Sequence, residues 1–303
     1  MEQATRVTDQ PCAVGESPLW HAGEAALYWV DIPAGAILRL DAATGRVDRW
    51  ELGEPVGCIA FGDGALVAGM QTGIHALRLE RGGVVRTRLL AAPAMPLPGM
   101  RFNDGRCDRQ GRFWAGTIAP ADAAAHAAGK LYRFDATHGL SAPVIDGLVG
   151  QNGLAWSPDG RTMYLSDAHA SRRLVWAFDF DVGSGAPSGR RVFVDMNLHP
   201  GRPDGAAIDV DGCYWCAAVD GGRLLRFTPQ GRLDREILLP VAKPSMCAFG
   251  GAGLDVLYVT TIRPRDASPD AGDGCVYAIK AGIAGCPEPR FAGAPWNNEE
   301  KGK

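Results

Sequence analysis

Four polar residues stand at matching places along this 303-residue chain: Glu16, Asn103, Asn152 and Asp204 each lie eleven to thirteen residues ahead of an aromatic in an apolar run, namely Trp29, Trp114, Tyr164 and Trp215. Two carboxylates and two amides brought to one point make an oxygen-rich site that repels itself, because like charges resist joint ionisation. One divalent cation resolves the conflict. All-oxygen donors are hard and suit Ca²⁺, Mg²⁺ or Mn²⁺, while Zn²⁺ and Fe²⁺ also bind such sets because affinity follows more than hardness. A single polar residue at a strand start ordinarily caps a turn. Four in one register point to a site, provided that the fold gathers equivalent positions of successive repeats around one centre.

The repeats supply that fold. An apolar strand, a turn rich in Asp and Gly, an aromatic or aliphatic strand, a second turn and a third strand recur six times. The middle strands read Leu27 to Val30, Leu66 to Ala68, Phe113 to Ala115, Met163 to Leu165, Cys213 to Cys216 and Val256 to Val259, and each is followed by a third strand, from Ile37 to Leu40 in the first repeat to Cys275 to Ile279 in the last. A period of roughly 50 residues corresponds to one propeller blade. The expected fold class is all-β, a six-bladed β-propeller formed as one domain over residues 1–303. Strand starts of equivalent blades ring the central channel at one end, so Glu16, Asn103, Asn152 and Asp204 should point inward from four blades. Gly57 and Ser245 hold the place in the other two. Ring closure needs a strand shared between the chain ends, for which Ala4 to Thr8 and Pro289 to Ala292 are the candidates. An aligned sandwich has no reason to repeat one three-strand unit. Two segments break the β-rhythm, the alanine-rich Ala119 to Gly129 and the proline-rich Ala91 to Pro98, and long loops in compact domains tend to serve as lids.

Forty glycines and 21 prolines scattered along the chain argue against long helices. With 46% hydrophobic residues the chain can bury a sizeable core, and a net charge of −3 leaves no broad basic face for nucleic acid or an anionic membrane. A small-molecule partner is expected, with no obligate protein partner. No stretch approaches the roughly 20 apolar residues of a membrane span and residues 1–10 show no signal pattern, so a cytoplasmic protein is expected. The eight cysteines are spread through a chain that needs no staples and are read as reduced. Cys213 and Cys216, the C-x-x-C pair, fall in a strand where positions i and i+3 face opposite sides, which argues against zinc there. The six histidines show no ligand spacing; His169 and His199 fall in loops near the channel mouth, where the simple loop role is preferred. No G-x-S-x-G, H-E-x-x-H or phosphate-cradling glycine loop occurs.

Gly15-Glu16-Ser17-Pro18-Leu19-Trp20, Tyr28-Trp29-Val30-Asp31-Ile32, Arg101-Phe102-Asn103-Asp104-Gly105, Gly116-Thr117, Asn152-Gly153-Leu154-Ala155-Trp156, Pro203-Asp204-Gly205 and Phe249-Gly250-Gly251 occur in this order. Together they resemble the regucalcin/gluconolactonase family of six-bladed propeller sugar lactonases over nearly the whole chain. The resemblance implies that Glu16, Asn152 and Asp204 hold one divalent metal ion, that Asp204 doubles as the catalytic base, and that Arg101 and Asn103 contact the sugar lactone. The implied reaction opens an aldono-1,4- or 1,5-lactone to the aldonic acid in sugar catabolism. Asp204 would accept a proton from attacking water and return it to the ring oxygen. A non-catalytic, regucalcin-like calcium-binding propeller is the alternative, and Arg101 and Asn103, which a metal buffer does not need, favour the enzyme. One departure bears on the sugar: after Gly116-Thr117 some relatives carry an acidic substrate contact, whereas this chain reads Ile118-Ala119-Pro120-Ala121, with Asp122 the nearest carboxylate.

Overall fold

A computed structural model describes residues 3–268 and 270–296. Its strands form six sheets, each a radial blade. Blade 1 comprises Gly15–His21, Ala26–Asp31, Ala36–Asp41 and Val47–Glu51, and blade 2 comprises Val56–Phe61, Leu66–Met70, Ile74–Leu79 and Val85–Ala91. Blade 3 is built on Arg101–Cys107, Phe113–Ile118 and Gly129–Asp135, with Gly139–Leu140 and Ile145–Leu148 outside. Blade 4 comprises Gln151–Trp156, Thr162–Asp167, Leu174–Asp181 and Ala186–Asp195; blade 5 comprises Arg202–Ile208, Tyr214–Val219, Arg223–Phe227 and Leu233–Leu238. Blade 6 takes Pro244–Gly250, Val256–Thr261 and Tyr277–Lys280 from the end of the chain and Thr5–Arg6 from its beginning. The innermost strand of each blade touches those of its two neighbours, and blade 6 touches blade 1, which closes the ring.

The continuous apolar middle strands follow from burial on both faces, since side chains alternate between the two sides of a sheet. In blade 1 Ala26, Tyr28 and Val30 enter the core shared with blade 2, whereas Leu27 and Trp29 pack with Tyr258 and Val276 of blade 6. Blade 5 repeats the device, sending Trp215 and Ala217 toward blade 6 and Tyr214, Cys216 and Ala218 toward blade 4. The aromatic positions of the middle strands are therefore packing residues. Two blades share a turn lock as well: Asp108 accepts from Trp114 Nε1 at 2.9 Å, and Asp209 from Trp215 Nε1 at 2.8 Å, while both also bind backbone amides of their own turns. All eight cysteines are free thiols.

Of the two candidate closing segments, Ala4 to Thr8 contains the strand that completes blade 6, Thr5 pairing with Ala278 and Arg6 with Tyr277. Pro289 to Ala292 is not a strand. That part of the chain crosses between blades, its Phe291 N donating to Phe61 O and its Ala292 N to Gly111 O, and Phe291 stacks on Phe134 at 5.7 Å. No helix among the described residues is long and apolar enough to cross a membrane.

Candidate active site

Every innermost strand carries a register break close to its start, between Glu16 and Leu19, Val56 and Cys58, Phe102 and Gly105, Asn152 and Ala155, Pro203 and Ala206, and Pro244 and Met246. A bulge inserts an extra residue and re-aims the side chains beside it. The break therefore turns Glu16, Asn103, Asn152 and Asp204 into the channel. Backbone strain is part of the device. Ser17 has φ of 50° although it is not glycine, and its Oγ accepts from Ile59 N of the next blade at 3.0 Å. Gly153 has φ of 59°, and a Cβ there would overlap Tyr214 Oη and Ser166 Oγ, so this position requires glycine. In blade 2 Gly57 holds the place that Glu16, Asn103, Asn152 and Asp204 hold in theirs, and a Cβ there would run into the Phe102 and Asn103 carbonyls.

Glu16, Arg101, Asn103, Asn152 and Asp204 line one cavity of about 370 Å³, within the range of roughly 300–1,000 Å³ usual for small-molecule sites. The structure thus brings together all five residues singled out in the sequence. Ile118, Ala119, Pro120 and Ala121 close one side, which puts the start of the expected lid on the cavity wall. A run of 3-10 turns, Ala121–His126, follows, and Asp122 is exposed and outside the lining. Arg202, which no sequence motif singled out, and His169, read as a loop residue near the channel mouth, also line the cavity. His199 instead lies edge-on against Phe227.

The carboxylates are poorly compensated. Glu16 accepts one hydrogen bond, from Ser17 N at 3.2 Å, and among the described residues no hydrogen bond or ion pair reaches the Asp204 carboxylate. Burial pushes the Asp204 carboxyl up to about 8, Arg202 opposing the rise and Asp104 adding to it. Burial likewise lifts Glu16 well above the usual carboxylate range, and the negative charges of Asp204 and Asp104 add to this. Asn152 Oδ1 is buried with no hydrogen-bond partner among the described residues. Two buried carboxylates that resist ionising beside an unpaired amide oxygen are the donor set that a divalent cation fits. Among the described residues no three His, Cys, Asp or Glu side chains cluster in the way a metal site requires, so a cation here depends on the amide of Asn152.

Arg101 and Asn103 are held in place from both sides. Arg101 Nη1 donates to Asn103 Oδ1 at 2.7 Å and to Phe102 O at 2.9 Å, while Asn103 Nδ2 donates to Gln151 O at 2.7 Å. These bonds fix which end of the amide is which and leave one hydrogen on Asn103 Nδ2 free for a ligand. Below the cavity, Asp104 Oδ2 accepts from Leu154 N at 2.8 Å, and the buried Arg106 binds Glu288 at 2.8 Å and Ala206 O at 2.6 Å. The segment carrying Glu288 thereby ties the chain end into the channel.

Residues 14–263 match the family model described as SMP-30/Gluconolactonase/LRE-like region. The chain belongs to this family. It is 40% identical over 294 residues to 6-deoxy-6-sulfogluconolactonase of Pseudomonas putida, covering 95% of this chain and 98% of that one. To pentonolactonase XacC of Haloferax volcanii it is 34% identical over 293 residues, covering 94% and 96%. Among solved structures, regucalcin from Agrobacterium tumefaciens, a calcium-binding protein, superposes with a TM-score of 0.85 at 25% identity, covering 96% of this chain and 98% of that one. These likenesses span the whole ring and include every blade that supplies a residue to the cavity.

Proposed function

We propose that this SMP-30/gluconolactonase family member is a lactonase that hydrolyses a sugar lactone, an aldono-1,4- or 1,5-lactone, to the aldonic acid with one divalent cation held by Glu16, Asn152 and Asp204. The observation that carries the reading is the pair of buried carboxylates that no ion pair reaches among the described residues, beside the unpaired Asn152 Oδ1. When bound, a divalent cation supplies Lewis-acid polarisation of an ester carbonyl, worth several kcal/mol. Ca²⁺, Mg²⁺, Mn²⁺, Zn²⁺ and Fe²⁺ are the ions to test.

The protein's own groups do the rest. Asp204 accepts a proton from the attacking water as oxygen bonds to the lactone carbon, and returns it to the ring oxygen as the ring C–O bond breaks. Water is consumed, and one carboxylic acid and one hydroxyl result. Arg101 and Asn103, locked to each other and to Gln151 O, orient the lactone so that its carbonyl carbon meets that water. The apolar wall of Ile118 to Ala121 limits bulk water over the reacting carbon. Relatives named for lactones of different sugars match 95% and 94% of this chain, which supports lactone hydrolysis while leaving the sugar to experiment.

Acid release from pentono- and hexonolactones in the presence of each cation tests the proposal. Steady, cation-dependent turnover is expected. A protein that binds calcium tightly and opens none of the lactones is instead a calcium-binding propeller, the reading that the calcium-binding A. tumefaciens relative favours.

A further inference from the structure

Much of the cavity wall is apolar, with Val14, Ile32 and Ile262 toward blades 1 and 6 and Ile118 to Ala121 after the second strand of blade 3, and blade 1 contributes Glu16. Toward blades 3 to 5 the cavity presents Arg101, His169 and Arg202. Arg101 and Arg202 hold the same place in their blades, two residues before Asn103 and Asp204, so the two arginines stand on either side of blade 4. His169 comes from the blade 4 loop that lies between them.

Arg101 is committed to the floor through its bonds to Asn103 and Phe102 and the nearby charge of Glu16. Arg202 is not. Its Nε and Nη2 meet Asp220 Oδ2 at 2.8 and 2.7 Å and its Nη1 donates to Ala168 O at 3.0 Å, which leaves two of the five guanidinium N–H groups without a partner among the described residues. Asp220 is shared in turn with Lys243 Nζ at 2.8 Å, so this trio carries one net positive charge beside the cavity. The same pairing fixes the guanidinium in orientation. His169 is fixed too. Its Nδ1 accepts from Ser171 N at 3.3 Å and lies 2.8 Å from Ser171 Oγ, so the ring hydrogen sits on Nε2 and is free to be donated.

A neutral polyol has no need of an anchored guanidinium with two open N–H groups beside a free imidazole N–H. A tetrahedral oxyanion needs both, since its oxygens accept from a guanidinium in a charge-assisted geometry and from a further donor at its side. We propose that the cavity takes a lactone bearing an anionic group, a phosphate or a sulfonate, at the end remote from the carbonyl, and that Arg202 and His169 bind that group. This specificity rests on the lactonase reading, because it places the carbonyl over Glu16, Asn152 and Asp204.

Initial rates on glucono-1,5-lactone, its 6-phosphate and its 6-deoxy-6-sulfonate test the proposal, alongside calorimetric titration with gluconate and 6-phosphogluconate. A charge-assisted hydrogen bond is worth about 1.5–3 kcal/mol, so wild-type kcat/KM should favour an anionic lactone roughly 10- to 100-fold, and 6-phosphogluconate should bind more tightly than gluconate by a similar factor. The two anionic lactones show which oxyanion is preferred. Arg202→Met should bring the anionic-to-neutral ratio toward one and Arg202→Lys should restore part of it, while His169→Leu lowers the ratio to a lesser extent. A wild-type ratio of one or below with the neutral lactone turned over overturns the proposal and leaves the lactonase reading intact. If no lactone is opened, the lactonase reading falls, and equal calorimetric affinities for gluconate and 6-phosphogluconate overturn the anion site independently.

Discussion

Asp204→Asn in chelator-stripped protein separates the charge of this side chain from its shape. Burial holds the Asp204 carboxyl at about 8 in the folded protein against 3.8 for an ordinary one. Between those values the folded chain binds a proton that the unfolded chain has released. The stability linked to this group is therefore complete below 3.8 and is lost as the pH rises toward 8. At about 1.4 kcal/mol for each pH unit, the loss has a ceiling on the order of 5 kcal/mol. Asparagine keeps the volume and one oxygen but has no such proton. In urea unfolding with chelator present, wild type should lose several kcal/mol relative to Asp204→Asn between pH 5 and pH 8. A saturating divalent cation should remove that difference by stabilising the ionised carboxylates. The same variant, loaded with cation, should lose turnover by roughly 10²- to 10⁴-fold, the usual contribution of a positioned base. Parallel pH slopes for the two proteins in chelator would refute the claim that an uncompensated carboxyl is buried here, and a cation-loaded variant of near wild-type activity would exclude Asp204 as the base.

Glu16→Gln and Asn152→Ala should each weaken cation affinity and depress turnover, with partial recovery at high cation concentration; wild-type affinity after dialysis against chelator would remove that residue from the ligand set. Shortening the segment from Ala119 to Gly129 should change the ranking of lactones by kcat/KM while cation affinity stays the same, whereas Asp122→Asn, an exposed change outside the cavity, should leave the ranking as it is. Glu288→Gln removes the ion-pair partner of the buried Arg106, leaving it the Asp104 charge and Ala206 O, and should cost about 1–3 kcal/mol in denaturant unfolding, the usual worth of a hydrogen bond to a charged group. A loss below about 1 kcal/mol would show that Glu288 does not anchor the chain end.

The blades were legible because a middle strand buried on both faces has to be apolar at every position, and runs such as Leu27 to Val30 state this without any tertiary information. Glu16, Asn103, Asn152 and Asp204 were legible as a set because the ring repeats their register. The bulges that turn them inward were not, since a register break is a relation between two strands; the glycines inside three of the breaks, Gly57, Gly153 and Gly205, were the marks in the sequence. Pro289 to Ala292 reads like a strand, yet its amides bond to Phe61 O and Gly111 O, partners set by tertiary packing far away in the chain. His169 and Arg202 were not read as cavity groups, for different reasons. His169 was seen in a loop near the channel mouth but read as a plain loop residue, since it has no repeat partner. Arg202 does have one, because it stands to Asp204 as Arg101 stands to Asn103, and that shared offset was the available signal.

The central claim, that Glu16, Asn152 and Asp204 hold the one divalent cation on which lactone opening depends, is tested most directly by titrating each cation into chelator-stripped protein while following occupancy and acid release together over a panel of lactones. One cation bound per chain, with turnover rising in proportion to occupancy, is the predicted result. Full turnover in the stripped protein, or full occupancy without opening of any lactone, would contradict it.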